Sequence, residues 1–307
     1  MDFSELLLGL GVLVVSAVNS AAVMYIVREQ RNPPSREEKA EEIVEENNAQ
    51  DEKLEVSAPP KRPTTKAEIL AWRSSIIEDL ERERGTKVIT MIHKKELWTE
   101  PGESPEIGIE DTEKVLMQLR KTPPDKPVDL IIHTPGGYAL AAQMMAMAIK
   151  FHPAKVTVMV PFYAMSGGSM MSLAASEIRM EKYSVLGPVD PQIPTPDGMW
   201  PAGSLATLVK TKPIQAIADR MVILAEAANL EIENAKAFVM WLLEGKMDKE
   251  QADRVADFLA RGYMSHATPI TLDVARGIGL NVVEGIPDQV YELFKTFAFT
   301  GQSYKGT

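Results

Sequence analysis

The sequence predicts an α/β domain built on a parallel sheet and tied to a membrane by one N-terminal helix. Short β-branched runs alternate with helical stretches from residue 65 onward, and two of the strand-to-helix turns carry paired glycines. Ahead of them, residues 6–27 run without a single charge. Strands and helices alternating at this spacing mean βαβ units with right-handed crossovers.

The 22 uncharged residues would make a helix of roughly 33 Å, enough to cross a hydrocarbon core of about 30 Å. A cleaved signal peptide wants a basic start and a shorter apolar run, whereas Asp2 and Glu5 precede this one. A retained transmembrane anchor over 1–27 is therefore expected. Arg28, Arg31 and Arg36 follow it and nothing basic precedes it, which places the bulk of the chain on the cytoplasmic side. Residues 28–64, acid-rich and then punctuated by Pro59, Pro60 and Pro63, read as a solvated linker.

The expected domain covers 65–290. Thr65-Lys-Ala-Glu68 fits a capping box, and Ile69, Trp72, Ile76, Ile77 and Leu80 form one stripe until Gly85 stops the helix. A strand follows at 87–93, a helix at 111–121 ending before Pro123-Pro124, and a strand at 128–133 that breaks into Thr134-Pro-Gly-Gly137. A helix over 138–151, a strand at 155–160, and Ala164-Met-Ser-Gly-Gly168 opening a helix to 175 come next. Residues 177–180 are strand-like, and Gly187-Pro-Val-Asp-Pro191 is a turn. Beyond Pro213 the pattern is mainly helical, broken at Gly245 and at Ser265-His-Ala-Thr-Pro269, with a final helix and tail over 291–307.

Composition narrows the chemistry. A net charge of −10 argues against nucleic acid as a partner. With no Cys, four His and no H-E-x-x-H, neither thiolate chemistry nor a metal site is expected. No phosphate-binding loop or dinucleotide fingerprint occurs, so no cofactor is expected. The eight Met residues between 144 and 180 suit adaptable core packing, or else a soft groove for peptide side chains.

The two glycine turns are the candidates for catalysis. Gly136 and Gly137 permit backbone geometry a side chain forbids, just ahead of a helix N-terminus whose N–H groups can face an anion. Ser166 stands at a strand-to-helix corner before Gly167 and Gly168, where a hydroxyl is held out of the core. Together the turns can supply a nucleophile and an oxyanion hole. A serine in that place is equally an N-cap, and Pro-Gly-Gly is equally an ordinary turn. The G-x-S-x-G elbow of α/β-hydrolases is absent.

In combination, Thr134-Pro-Gly-Gly, Ala164-Met-Ser-Gly-Gly, Leu186-Gly-Pro-Val-Asp-Pro-Gln192 and Ser265-His-Ala-Thr-Pro-Ile-Thr271 resemble the Clp/crotonase-fold serine peptidases. Within them the chain looks like the membrane-anchored serine dehydrogenase proteinase (SDH) family, related to Clp protease and signal peptide peptidase SppA. The resemblance covers roughly 65–285. It implies a spiral of parallel strands and a triad of Ser166, Asp190 and His266, with the oxyanion held by N–H groups of Gly136 or Gly137 and of Gly167. It also implies a peptide or protein substrate, membrane proteins included, and a homo-oligomer.

Each assignment has a rival. Asp190 would organise a turn, His266 would be an exposed loop residue, and His133 would be the base nearest the glycine turn. Lys212 would serve a Ser–Lys dyad of the SppA type. His93 and His152 are expected to be structural or surface residues. Two other functions share the fold: acyl-CoA chemistry of the crotonase kind, and a non-catalytic scaffold that binds membrane-protein partners.

Overall fold

Helix α1 (Lys66–Arg84) begins with the expected capping box: Glu68 N–H donates to Thr65 Oγ1, and Thr65 N–H donates back to the Glu68 carboxylate. It ends at Gly85, whose φ of 66° suits a residue without Cβ. The computed structural model describes residues 65–94, 96 and 106–297. The expected anchor at 1–27, the linker at 28–64 and the tail beyond 297 lie outside them. Among the described residues no helix is long and apolar enough to cross a membrane.

The chain continues through β1 (Lys87–Ile92), α2 (Ile109–Lys121), β2 (Val128–His133), α3 (Ala139–Phe151), β3 (Val156–Val160) and β4 (Tyr163–Ala164). Next come α4 (Gly167–Ala174), β5 (Glu177–Met180), β6 (Val185–Leu186), β7 (Gln192–Thr195) and β8 (Gly198–Pro201). Helices α5 (Ala202–Thr211), α6 (Asp219–Leu243) and α7 (Lys249–Ala260) follow. The last elements are β9 (Ile270–Thr271), α8 (Leu272–Gly277), β10 (Val282–Glu284) and α9 (Asp288–Phe294).

Strands β1, β2, β3, β5 and β10 form one sheet in the order β1-β2-β3-β5-β10, parallel throughout. Every residue of β2 and β3 is buried, as expected when helices cover both faces of a parallel sheet. Alternation along the strands sorts their side chains between two cores. Ile89, Leu130, Ile132, Val158 and Val160 join the large core with α2, α3, α4, α6 and α7. Val88, Ile131 and Met159 face the other way, against Ile76 and Leu80 of α1 and Val290, Leu293 and Phe294 of α9.

Asp129 of β2 is fully buried and neutralised by Arg84, the last residue of α1, with Thr86 Oγ1 donating to it at 2.8 Å. Five of the eight central methionines (Met145, Met159, Met170, Met171, Met180) are core residues, so packing explains most of that run.

Two details differ from the sequence expectation. The segment after Pro191 forms the hairpin β7–β8 and then α5, which no periodicity announced because Pro194, Pro196 and Pro201 interrupt it. The final helix starts at Asp288 rather than 291, because Pro287 supplies its N-cap position.

Candidate active site

A second, three-stranded sheet positions the motif residues. Its order is β4-β6-β9, with β4 and β6 parallel and β6 and β9 antiparallel. Ser166 follows β4 by two residues and Asp190 follows β6 by four, so both leave the same end of this sheet. His266 precedes β9 by four, and Ile270 at the start of β9 pairs with Leu186 at the end of β6. Three segments far apart in sequence therefore meet at one end of six residues of strand.

Ser166 sits at φ 48° and ψ −109°, the one non-glycine residue with positive φ among the described residues. Holding an L-residue there costs of order 1–3 kcal/mol, a strain characteristic of functional turns. Ser166 occupies the N-cap position of α4, yet its hydroxyl makes no capping bond. The N-cap explanation of this serine is thus set aside. Gly167 N–H has no hydrogen-bond acceptor among the described residues, whereas Gly168 N–H donates to Met165 O at 2.8 Å.

The glycine turn lies directly against the serine. A Cβ on Gly136, where φ is 105°, would come within 2.9 Å of Ser166 Cβ. A Cβ on Gly137 would stand 2.4 Å from Ile107 N, so only glycine admits this approach. Gly136 C=O accepts from Ile107 N–H at 2.7 Å and Gly136 N–H donates to Thr134 Oγ1 at 3.1 Å. The N–H of Gly137 has no acceptor among the described residues.

Asp190 and His266 meet. His266 Nδ1 lies 2.7 Å from Asp190 Oδ1, which fixes Nδ1 as donor and leaves Nε2 free to accept a proton. Asp190 is 3% exposed. Its second oxygen accepts from Gln192 Nε2 at 2.7 Å, and Val189 N–H donates to Leu259 O at the end of α7. His266 is half-buried. No hydrogen bond joins Ser166 Oγ to His266.

The rivals are placed elsewhere. His133 is buried among the rings of Phe162, Tyr163 and Phe294, and its Nδ1 has no partner among the described residues. Burial, with the nearby charges of Lys94 and His93, pushes its pKa down to about 4, so it is neutral at pH 7. Lys212 is exposed at the end of α5 and lacks the desolvation a lysine base requires. His152 caps α3 and bonds Lys126 O at 3.1 Å.

Sequence reasoning passed over three residues that shape the site. Gln192 holds the acid, as just described. Ser169 ties the serine turn to the 187–191 turn that carries Asp190, donating to Ala164 O at 2.8 Å and accepting Gly187 N–H at 2.9 Å. His93 reaches Thr134 Oγ1 at 2.7 Å. A serine three residues into a helix and a glutamine beside a turn carry no signal in one sequence, since their partners are distant in the chain. Among the described residues no cluster of acids and histidines is arranged to hold a metal.

Comparison with known proteins places the chain in a family. Two uncharacterized proteins of Methanocaldococcus jannaschii are similar: one is 43% identical over 227 residues, spanning 73% of this chain and 76% of the relative. The other is 42% identical over 228 residues, spanning 73% and 78%. Among solved structures, a membrane-bound stomatin-specific protease aligns at 14% identity and a TM-score of 0.40, covering 62% of this chain and 79% of its own. ClpP1 from Listeria monocytogenes aligns at 17% identity and a TM-score of 0.41, covering 68% and 96%. The family of ClpP-like SDH-type serine proteinases matches residues 60–303, and the chain belongs to it.

Proposed function

We propose that this chain is a membrane-anchored serine endopeptidase whose triad is Ser166, Asp190 and His266. Ser166 Oγ attacks the substrate carbonyl as its proton passes to His266 Nε2. The resulting imidazolium is stabilised through Nδ1–H by Asp190. The tetrahedral oxyanion is held by the N–H of Gly167 and one from the glycine turn. Gly137 is better placed than Gly136 for this, because the Gly136 N–H is already engaged by Thr134. His266 then protonates the leaving amine, and a water repeats the sequence to release the acyl group.

The observation that carries this reading is the 2.7 Å bond between a buried Asp190 and a half-buried His266, at the sheet end from which Ser166 emerges. The anchor at residues 6–27, with Arg28, Arg31 and Arg36 behind it, supports a cytoplasmic peptidase domain held at the membrane surface. Membership in a ClpP-like family supports a homo-oligomer acting on peptide or protein substrates.

A serine-directed fluorophosphonate tests the nucleophile. The wild type is labelled and Ser166→Ala is not; equal labelling of both removes the assignment. Comparing His266→Ala with Lys212→Ala separates the bases, since loss of labelling in the lysine variant alone would favour a Ser–Lys dyad. A scaffold without catalysis would leave the wild type unlabelled.

A further inference from the structure

The glycine turn is braced by a run of hydrogen bonds that no catalytic step above uses. Asp111, in the first turn of α2, accepts Gly108 N–H at 2.9 Å and lies 3.1 Å from His93 Nε2. His93 Nδ1 lies 2.7 Å from Thr134 Oγ1, which in turn accepts Gly136 N–H at 3.1 Å. A carboxylate can only accept, so His93 Nε2 carries a proton and, in the neutral ring, Nδ1 is left as an acceptor. Of the two acceptors within reach of the Thr134 hydroxyl, Nδ1 at 2.7 Å and Gly136 O at 3.3 Å, the nearer takes its single hydrogen, and the oxygen keeps lone pairs for Gly136 N–H. Every donor and acceptor is then matched in one direction, from backbone amide to carboxylate. Thr134 is fully buried and the His93 side chain is 8% exposed, so the bond between them is shielded from water. Burial alone would raise the Asp111 carboxyl, but the bonds from His93 and Gly108 outweigh it and hold it below its usual range.

These bonds and Ile107 grip the same turn from two sides. Thr134 holds Gly136 N–H while Ile107 N–H holds Gly136 C=O at 2.7 Å. The described peptide bonds are all trans, so Gly137 N–H points opposite to Gly136 C=O and away from Ile107. Without these restraints two adjacent glycines would sample many conformations and the N–H would lose its aim.

We propose that Asp111, His93 and Thr134 are positioning residues that set the orientation of the oxyanion-binding glycine turn. The relay rests on the peptidase reading and acts on the rate of attack at Ser166, without exchanging a proton with it.

The test uses the full-length protein and a rhodamine-tagged fluorophosphonate, separating the maximal labelling rate from the probe's half-saturation concentration. His93→Leu and Thr134→Val remove the relay at nearly constant volume. Each lowers the maximal rate by roughly 10- to 100-fold, the scale of an oxyanion donor that is loosened but not lost, with half-saturation unchanged. His93→Gln, whose amide offers one acceptor and one donor, and Thr134→Ser, which keeps the hydroxyl, recover most of the rate. If His93→Leu does not fold, as judged by its thermal transition, the Thr134 pair decides. Unchanged rates in the Leu and Val variants would overturn the relay. So would equal losses in His93→Leu and His93→Gln, which mean packing rather than hydrogen bonding. A wild type that is not labelled at all ends the peptidase reading and the relay with it, whereas a labelled wild type with unaffected variants ends the relay alone.

Discussion

Among the described residues two imidazole–carboxylate pairs stand out, His266 with Asp190 at 2.7 Å and His93 with Asp111 at 3.1 Å, and they differ in what the second ring nitrogen touches. In the first, one ring nitrogen bonds the acid at 2.7 Å and the other has no partner among the described residues; the side chain is 33% exposed. In the second, both nitrogens are occupied, one by Asp111 and one by Thr134, and the side chain is nearly buried. A carboxylate partner therefore does not make a histidine a base. The free nitrogen does, because only it can take a proton from something that arrives. His133 completes the series: it has no carboxylate and an apolar cage.

The sharpest way to break this comparison is to remove the rings. His266→Ala is expected to lower the maximal rate of peptide cleavage by about 10⁶-fold, as loss of a base within a triad does elsewhere. A loss in His93→Leu as deep as this would show that the two pairs are not functionally distinct. Gly137→Ala comes next: its Cβ would collide with Ile107 backbone at 2.4 Å, displacing an oxyanion donor and costing roughly 10²- to 10³-fold in rate while substrate affinity is kept. Steady-state kinetics with unchanged turnover would remove the glycine turn from the mechanism.

Gln192→Leu sharpens the first pair. Asp190 keeps His266 but loses its 2.7 Å bond to Gln192, so about 1–2 kcal/mol of orientation is lost, roughly tenfold in turnover. Full activity would mean that the buried acid needs no second partner.

The effect furthest from the chemistry is on stability and concerns His133. Its folded pKa lies near 4 against an ordinary 6.5, so between these values the unfolded chain binds a proton that the folded one refuses. Stability from this group is complete above about pH 6.5 and falls as pH drops toward 4, by roughly 3 kcal/mol at most. His133→Leu is expected to flatten the fall in thermal midpoint between pH 6.5 and 4. An unchanged slope would place the acid sensitivity on other groups.

Much of the fold was legible because it is local. The Thr65/Glu68 capping box, the stop at Gly85 and the buried runs 128–133 and 156–160 follow from propensity, periodicity and capping chemistry. The three-stranded sheet that gathers the site was not legible, since strands of two residues are too short for any period. The serine itself was ambiguous. N-capping and nucleophilic roles put the same residue at the same corner, and what separates them is a backbone at φ 48° with the hydroxyl left uncapped. Nothing near His93 in the chain announces its grip on the glycine turn, because Thr134 is 41 residues away.

By itself, the order of amino acids determined the alternation of elements, the placement of glycines where no side chain fits, and a set of motifs specific enough to name a family. Those properties depend on residues within a few positions of one another, or on patterns that repeat along the chain. Only the tertiary structure decided which nitrogen of which histidine stays free, because hydrogen-bond partners such as His266 and Asp190 stand 76 residues apart and are brought together by strand pairing alone.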